Sequence, residues 1–189
     1  MKDLRNKVAV VTGASQGIGR ETAILLAREG CDLALCDVDE DGLEQTAETI
    51  RGLGRKAFTQ KVDTSDREAM YAFAEAAAKA LGGVHVLVNN AGVALTSNIR
   101  EMEYEDFEWL MNINFWGMVY GTKAFLPYLE AQEEAHIVNL SSVFGLWAIP
   151  SQSAYNCSKF AIRGFTEALG MELAGTGIDV TSVHPGGIR

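Results

Sequence analysis

The run Val8-Ala9-Val10-Val11-Thr12 leads directly into a loop that carries Gly13, Gly17 and Gly19 and then into an amphipathic stretch. A short, unbroken apolar run suits a strand buried on both faces. Glycines directly after it let the chain turn sharply and let its backbone come close to a ligand. The helix that follows offers unpaired N–H groups and a positive dipole end, which suits a pyrophosphate. A tight strand–helix turn without a ligand also uses glycines. The spacing is G-x-x-x-G-x-G, and differs from the broader G-x-G-x-x-G dinucleotide pattern.

The rest of the chain repeats the same alternation. Strands are expected at Val8–Thr12, Leu33–Asp37, Ala57–Lys61, Val86–Asn89, His136–Leu140 and Asp179–Val183. Helices are expected near Gly17–Glu29, Gly42–Arg51, Asp66–Leu81, Glu103–Glu130 and Gln152–Ala174. Strand–helix alternation with right-handed crossovers predicts an α/β fold: a doubly wound parallel sheet of Rossmann type, in three layers, with its crevice at the carboxyl ends of the strands. No linker or repeat divides residues 1–189, so one domain is expected.

Composition bounds the function. Of 189 residues, 48% are apolar and 22% charged, which suits a packed globular chain. The net charge of -9 disfavours nucleic acid and anionic membranes as partners. No apolar run is long enough for a membrane span or for a signal-peptide core, and a cytoplasmic location is the expectation. Cys31, Cys36 and Cys157 lack metal-ligand spacing, and no metal site is expected. The stretch Glu103–Glu130 is apolar nearly all round, through Phe107, Trp109, Leu110, Phe115, Trp116 and others. One face suffices to cover a sheet, so a homo-oligomer, dimer or tetramer, is expected to cover the rest.

The second strand ends at Asp37, about twenty residues after the glycines, where a carboxylate can accept from both ribose hydroxyls of an adenosine. It also repels a 2′-phosphate, and no basic residue follows it, only Val38 and Asp39; Gln16 is neutral. NAD is therefore expected, with NADP second. Asp37 as a plain turn or cap residue is the simpler alternative. The stretch Gly13-Ala14-Ser15-Gln16-Gly17 also fits G-x-S-x-G, a hydrolase nucleophile elbow with Ser15 as nucleophile and His136 or His184 as base. Its place after the first strand, with no upstream oxyanion donor, argues against that.

Taken together the motifs resemble the short-chain dehydrogenase/reductase family over essentially the whole chain. The resemblance rests on Thr12–Gly19 (T-G-x-x-x-G-x-G), Asn89-Asn90-Ala91-Gly92, Asn114 with Gly117, Ser142, Tyr155 with Lys159 (Y-x-x-x-K), and Pro185-Gly186, in the family's order. The resemblance implies catalytic roles for Asn114, Ser142, Tyr155 and Lys159, with Ser142 holding the substrate oxygen and Asn114 supporting a water next to Lys159. It places the cofactor along Gly13, Ser15, Gln16, Gly17, Ile18, Gly19, Asp37, Val38, Asp63, Thr64, Asn89, Ala91, Gly92, Tyr155, Lys159, Pro185, Gly186 and Ile188. Asp63 would meet adenine, and the Ile188 backbone N–H the nicotinamide carboxamide. Members of the family normally continue through substrate-covering helices and a seventh strand; a chain ending at Arg189 would lack them, and the protein is expected to extend further.

The chemistry itself explains the tyrosine–lysine pair. Moving a hydride to or from an alcohol carbon requires a general acid/base at its oxygen. Free tyrosine titrates near ~10, and a nearby cation favours its phenolate. Lys159 lies four residues on, on the same helix face as Tyr155. Ser142 follows the strand at a carboxyl end and is preferred over Ser141 by its thirteen-residue distance from Tyr155. A surface tyrosine packed at a subunit contact is the simpler reading of the pair in isolation. His136 and His184 read as structural, Cys157 as packing, and Phe160, Ala161 and Phe165 as helix packing. The apolar residues Phe144, Trp147 and Val93 are expected to meet an apolar alcohol or ketone. A non-catalytic dinucleotide-binding regulator on the same fold is the second reading, opposed by the intact Ser142, Tyr155 and Lys159.

Overall fold

The computed structural model describes Met1 and residues 3–187. The six apolar runs are strands: β1 (Val8–Thr12), β2 (Asp32–Asp37), β3 (Ala57–Lys61), β4 (Val86–Asn89), β5 (Ala135–Leu140) and β6 (Ile178–Val183). They pair in the order β3-β2-β1-β4-β5-β6, every pair parallel. Strand order reverses between β1 and β4, which opens a crevice at their carboxyl ends. The doubly wound Rossmann-type fold is therefore present.

Helices α1 (Gly17–Arg28) and α2 (Glu40–Gly52) cover one face, burying Ile24, Leu43 and Ile50 against Leu33 and Leu35. Helices α3 (Arg67–Leu81), α5 (Gly117–Glu130) and α6 (Ser153–Glu172) cover the other, where Phe73, Phe125 and Leu129 meet Leu87 and Ile137. Each face buries its own apolar set, which removes enough surface from water to make the sheet the centre of the molecule. Most boundaries fall within one or two residues of those expected. Helix α2 begins earlier because the Asp39 carboxylate accepts from the Gly42 N–H at 3.2 Å and caps it. Helix α6 ends at Glu172 rather than Ala174.

The stretch Glu103–Glu130 is not one α-helix. It is α4 (Tyr104–Met111), a π-helical turn at Asn112–Trp116, and α5. A π turn inserts one residue into the helical ladder and is common at functional sites. Asn114 sits inside it, 1% exposed. Gly117 closes the turn against Thr64, whose Oγ1 lies 2.8 Å from where a Cβ would stand. Trp109 and Trp116 remain half exposed, as the all-round apolar pattern implies. Cys157 and Phe160, expected to pack, are exposed on α6 in this single chain, because they lie away from the face that carries the buried Ala154, Ser158 and Lys159. No helix among the described residues is long and apolar enough to cross a membrane.

One polar chain crosses the sheet at the site end. Asn89 Nδ2 donates to Thr122 Oγ1 (3.1 Å) and to Asn139 Oδ1 (2.9 Å), and Asn139 Nδ2 donates to Thr166 Oγ1 (3.0 Å). It ties α5, β4, β5 and α6 together in the interior. A buried donor stripped of its partner keeps its full desolvation cost. Asn139→Ala is thus expected to lower stability by about 1–3 kcal/mol in denaturant unfolding, whereas a change indistinguishable from zero would show that the chain of amides carries no load.

Candidate active site

The glycine turn is held by the strand beside it. Gly13 and Gly17 take φ of +66° and +56°, a region glycine enters without strain. A Cβ on Gly19 would overlap the Gly13 carbonyl, and one on Gly13 would lie 2.8 Å from Ala91 Cα. Asn90 Nδ2 donates to the Thr12 and Gly13 carbonyls at 2.9 and 3.0 Å. Thr12 Oγ1 in return accepts from the Asn90 and Ala91 N–H groups, both at 3.0 Å. The first turn of α1 opens directly from this lock, with no side chain capping it, so its N–H groups stay available to an anion.

A cavity of about 680 Å³ lies over the lock, within the usual range for ligand sites. Of the residues expected to hold a cofactor, Gly13, Gln16, Ile18, Asp37, Val38, Asp63, Thr64, Ala91, Gly92, Tyr155, Lys159, Pro185 and Gly186 line it. Ser15, Gly17, Gly19 and Asn89 do not. Ser15 lies beneath the wall, where its N–H donates to Asp37 Oδ2 at 2.9 Å. The Asn89 side chain turns into the interior amide chain, and Asn90 takes the place at the wall. Ile188 lies outside the described residues. The other Asp37 oxygen accepts from the Asp39 N–H at 3.2 Å, so the carboxylate is fixed at the cavity edge with lone pairs to spare.

At the far end of the cavity stand Ser142, Tyr155 and Lys159. Ser142 Oγ accepts from the Phe144 N–H (3.1 Å), capping the 3₁₀ turn Val143–Gly145, which leaves its own proton free to donate. Ser141 Oγ is spent on the Lys159 carbonyl at 2.9 Å, which is why the neighbouring serine is the available one. Lys159 is 5% exposed; its Nζ donates to the Leu140 carbonyl at 2.8 Å and lies 5.5 Å from the centroid of the Tyr155 ring. Burial pulls its pKa down to about 8, because desolvation disfavours the charged amine.

Asn114 does not line the cavity. Its Oδ1 accepts from the Val93 N–H (2.7 Å), and its Nδ2 donates to the Val93 carbonyl (2.9 Å) and to Ser158 Oγ (3.1 Å). Ser158 Oγ donates in turn to the Tyr155 carbonyl at 2.8 Å. Both amide protons of Asn114 and one acceptor site of its oxygen are thereby engaged, which links the loop at Val93 to α6.

Of the expected substrate residues, Val93 lines the cavity and Phe144 and Trp147 do not. Phe144 sets its ring edge-on to Tyr155, with centroids 6.4 Å apart, and Trp147 is 54% exposed. Ala94, Trp109 and Ile113 form the apolar wall instead. Trp109 and Ile113 lie four apart, the spacing of one helix face, and that periodicity was the signal available in sequence.

The hydrolase arrangement is not assembled. Ser15 Oγ is buried without a hydrogen-bond partner among the described residues. His136 is engaged with Thr181 Oγ1, and His184 with the Ser142 carbonyl. No group of three or more metal-ligating side chains occurs among the described residues.

The buried amine yields a stability prediction. Its native pKa lies below the unfolded value of 10.5, so the unfolded chain binds more protons between about pH 8 and 10.5 and stability rises through that window. Below it, the burial penalty is fully present. Lys159→Met is expected to be more stable than the parent at pH 7, by roughly 1–3 kcal/mol, with the gap closing towards pH 10. Urea unfolding at the two pH values checks this; a variant less stable at pH 7 contradicts it.

Comparison with known proteins agrees with this geometry. The family model described as short chain dehydrogenase matches residues 7–189. The SadH protein of Mycobacterium tuberculosis is 49% identical over 100% of this chain and 69% of its own length. Human estradiol 17-beta-dehydrogenase 11 is 38% identical over 97% of this chain and 62% of its own. A short chain dehydrogenase/reductase from Burkholderia phymatum, solved in complex with NAD, superposes with a TM-score of 0.97 at 38% identity, covering 100% of this chain and 68% of that one. This chain belongs to the short-chain dehydrogenase/reductase family of oxidoreductases.

Proposed function

We propose that the protein interconverts a secondary alcohol and a ketone with NAD(H), Tyr155 serving as general acid/base. The observation that carries this reading is convergence. One cavity joins a glycine cradle, a ribose-ready carboxylate and a hydroxyl–phenol–ammonium cluster. The cradle fits a dinucleotide because glycines at 13 and 19 let the turn pack tightly on itself and on Asn90 and Ala91, which sets the uncapped N-terminus of α1 beside the cavity for a pyrophosphate. Gly13, Gln16 and Ile18 would hold the pyrophosphate, Asp37 the adenosine ribose, and Asp63 and Thr64 the adenine side. When bound, the nicotinamide supplies or takes the hydride.

This chain's own groups do the rest. Ser142 donates to the substrate oxygen and fixes it within reach of Tyr155. Tyr155 removes the alcohol proton, or delivers it to the carbonyl oxygen in reduction. Lys159 holds a positive charge beside the phenol from a position that is itself buried. Val93, Ala94, Trp109 and Ile113 favour an apolar substrate, and the dehydrogenation named in estradiol 17-beta-dehydrogenase 11 supports that class. The NAD in the Burkholderia phymatum structure and the acidic Asp37 support NAD over NADP. The half-exposed Trp116, stacked on Tyr120, supports self-association through α5.

The test is turnover of a panel of secondary alcohols and ketones, followed at the nicotinamide absorbance. Tyr155→Phe is expected to lower kcat by at least about a hundredfold while the protein still binds NADH. A phenylalanine variant with full turnover would sink the assignment, and a parent protein that binds NADH but turns over nothing would favour the regulator reading.

A further inference from the structure

His184 is more than a strand-end filler. It is half-buried directly after β6 and directly before Pro185-Gly186, which line the cavity. Its Nδ1 lies 3.0 Å from the backbone carbonyl oxygen of Ser142, and its Nε2 lies 3.0 Å from Ser182 Oγ. A carbonyl oxygen can only accept, so Nδ1 must carry the proton. In the neutral ring Nε2 then accepts, and the Ser182 hydroxyl is its donor. Both ring nitrogens are therefore committed, and the tautomer is fixed by the fold.

The contact spans two loops that would serve different ligands. Backbone bonds already run between them, from Ser141 N–H to the Val183 carbonyl (2.8 Å) and from Val143 N–H to the Pro185 carbonyl (3.0 Å). The Ser142 carbonyl points to the His184 ring between those two rungs. A rotation of the Ser142 peptide would break the imidazole bond and swing the hydroxyl that faces the cavity. Movement of Pro185-Gly186 would pull on the same ring.

We infer that His184 is a positioning residue that fixes the Ser142 peptide, and so the hydroxyl of Ser142, to the loop carrying Pro185 and Gly186. The inference rests on the proposed role of Ser142 in holding the substrate oxygen. It gives the histidine a task that asparagine can perform and glutamine cannot. An asparagine amide nitrogen reaches the place of Nδ1, whereas a glutamine amide reaches only that of Nε2.

Two measurements test it. In ¹⁵N-labelled protein, the His184 ring signals, identified by their loss in His184→Gln, are expected to show a protonated Nδ1. A bare Nδ1 overturns the inference whatever the enzyme does. In kinetics with NAD and the alcohols 1-phenylethanol and cyclohexanol, His184→Gln is expected to lower kcat about tenfold or more with NADH affinity within about threefold of the parent, and His184→Asn to restore most of the loss. Unchanged kcat per NADH-binding site in His184→Gln, or asparagine no better than glutamine, would mean a purely structural residue. Should the parent oxidise neither alcohol, nor any in the wider panel, the proposed reaction fails, while the ring tautomer still decides the fate of the contact.

Discussion

The Gly13 carbonyl packs so closely under Gly19 that no side chain fits between them, and the site is built outward from that contact. It forces the turn from β1 into α1 to lie flat, and it brings the N-terminus of α1 to the floor of the cavity. Four hydrogen bonds, from Asn90 and Ala91 to Thr12 and Gly13, cross the switch point and hold the turn against the end of β4. Neighbouring backbone carries Gly92 and Val93, and Val93 is gripped by Asn114 through both its N–H and its carbonyl. Asn114 reaches Ser158, and Ser158 the Tyr155 carbonyl. The glycine-turn end and the Tyr155 end of the cavity are thus joined by short polar contacts and the backbone segment Ala91–Val93.

The site contains a deliberate conflict with stability. A lysine that is 5% exposed, with no carboxylate paired to it among the described residues and one carbonyl accepting from its amine, sits where an apolar residue would pack more cheaply. Its depressed pKa is the direct sign of that cost. Active sites hold such groups because charge in a dry pocket acts strongly on neighbouring atoms. The interior amide chain through Asn89 and Asn139 is a polar feature of the other kind: nearly every atom is paired, and it ties β4 and β5 to α5 and to α6, the helix that carries Tyr155 and Lys159.

Much of this was legible in the sequence, for identifiable reasons. Central strands buried on both faces read as short apolar runs, as in β1 and β4, and the half-exposed edge strands β3 and β6 read through their β-branched and aromatic residues. The glycine spacing, the Asp37 position and the Tyr155–Lys159 interval are fixed by local geometry; Gly13, Asp37, Tyr155 and Lys159 line the cavity, while Gly17 and Gly19 shape the turn beside it. What could not be read depends on how a chain leaves an element. Asn89 and Asn90 are adjacent and identical in type, and only the pleat of β4 decides that Asn89 faces the helices and Asn90 the turn. A 3₁₀ turn follows Ser142, and neither Phe144 within it nor Trp147 beyond it lines the cavity, while an inserted π turn splits one expected helix into two. Trp109 and Ile113 line the wall because α4 and the π turn after it pack beside the opening, a tertiary fact that periodicity alone ranks no higher than ordinary core packing.

The account stands on the cavity being a dinucleotide site, and direct binding tests that without knowledge of the substrate. Purified protein titrated with NADH and, separately, NADPH, followed by nicotinamide fluorescence, should saturate with NADH at one molecule per chain. NADPH should bind more weakly, by at least about tenfold, because its 2′-phosphate must face the Asp37 carboxylate. Absence of saturable binding of either nucleotide would contradict the account at its foundation.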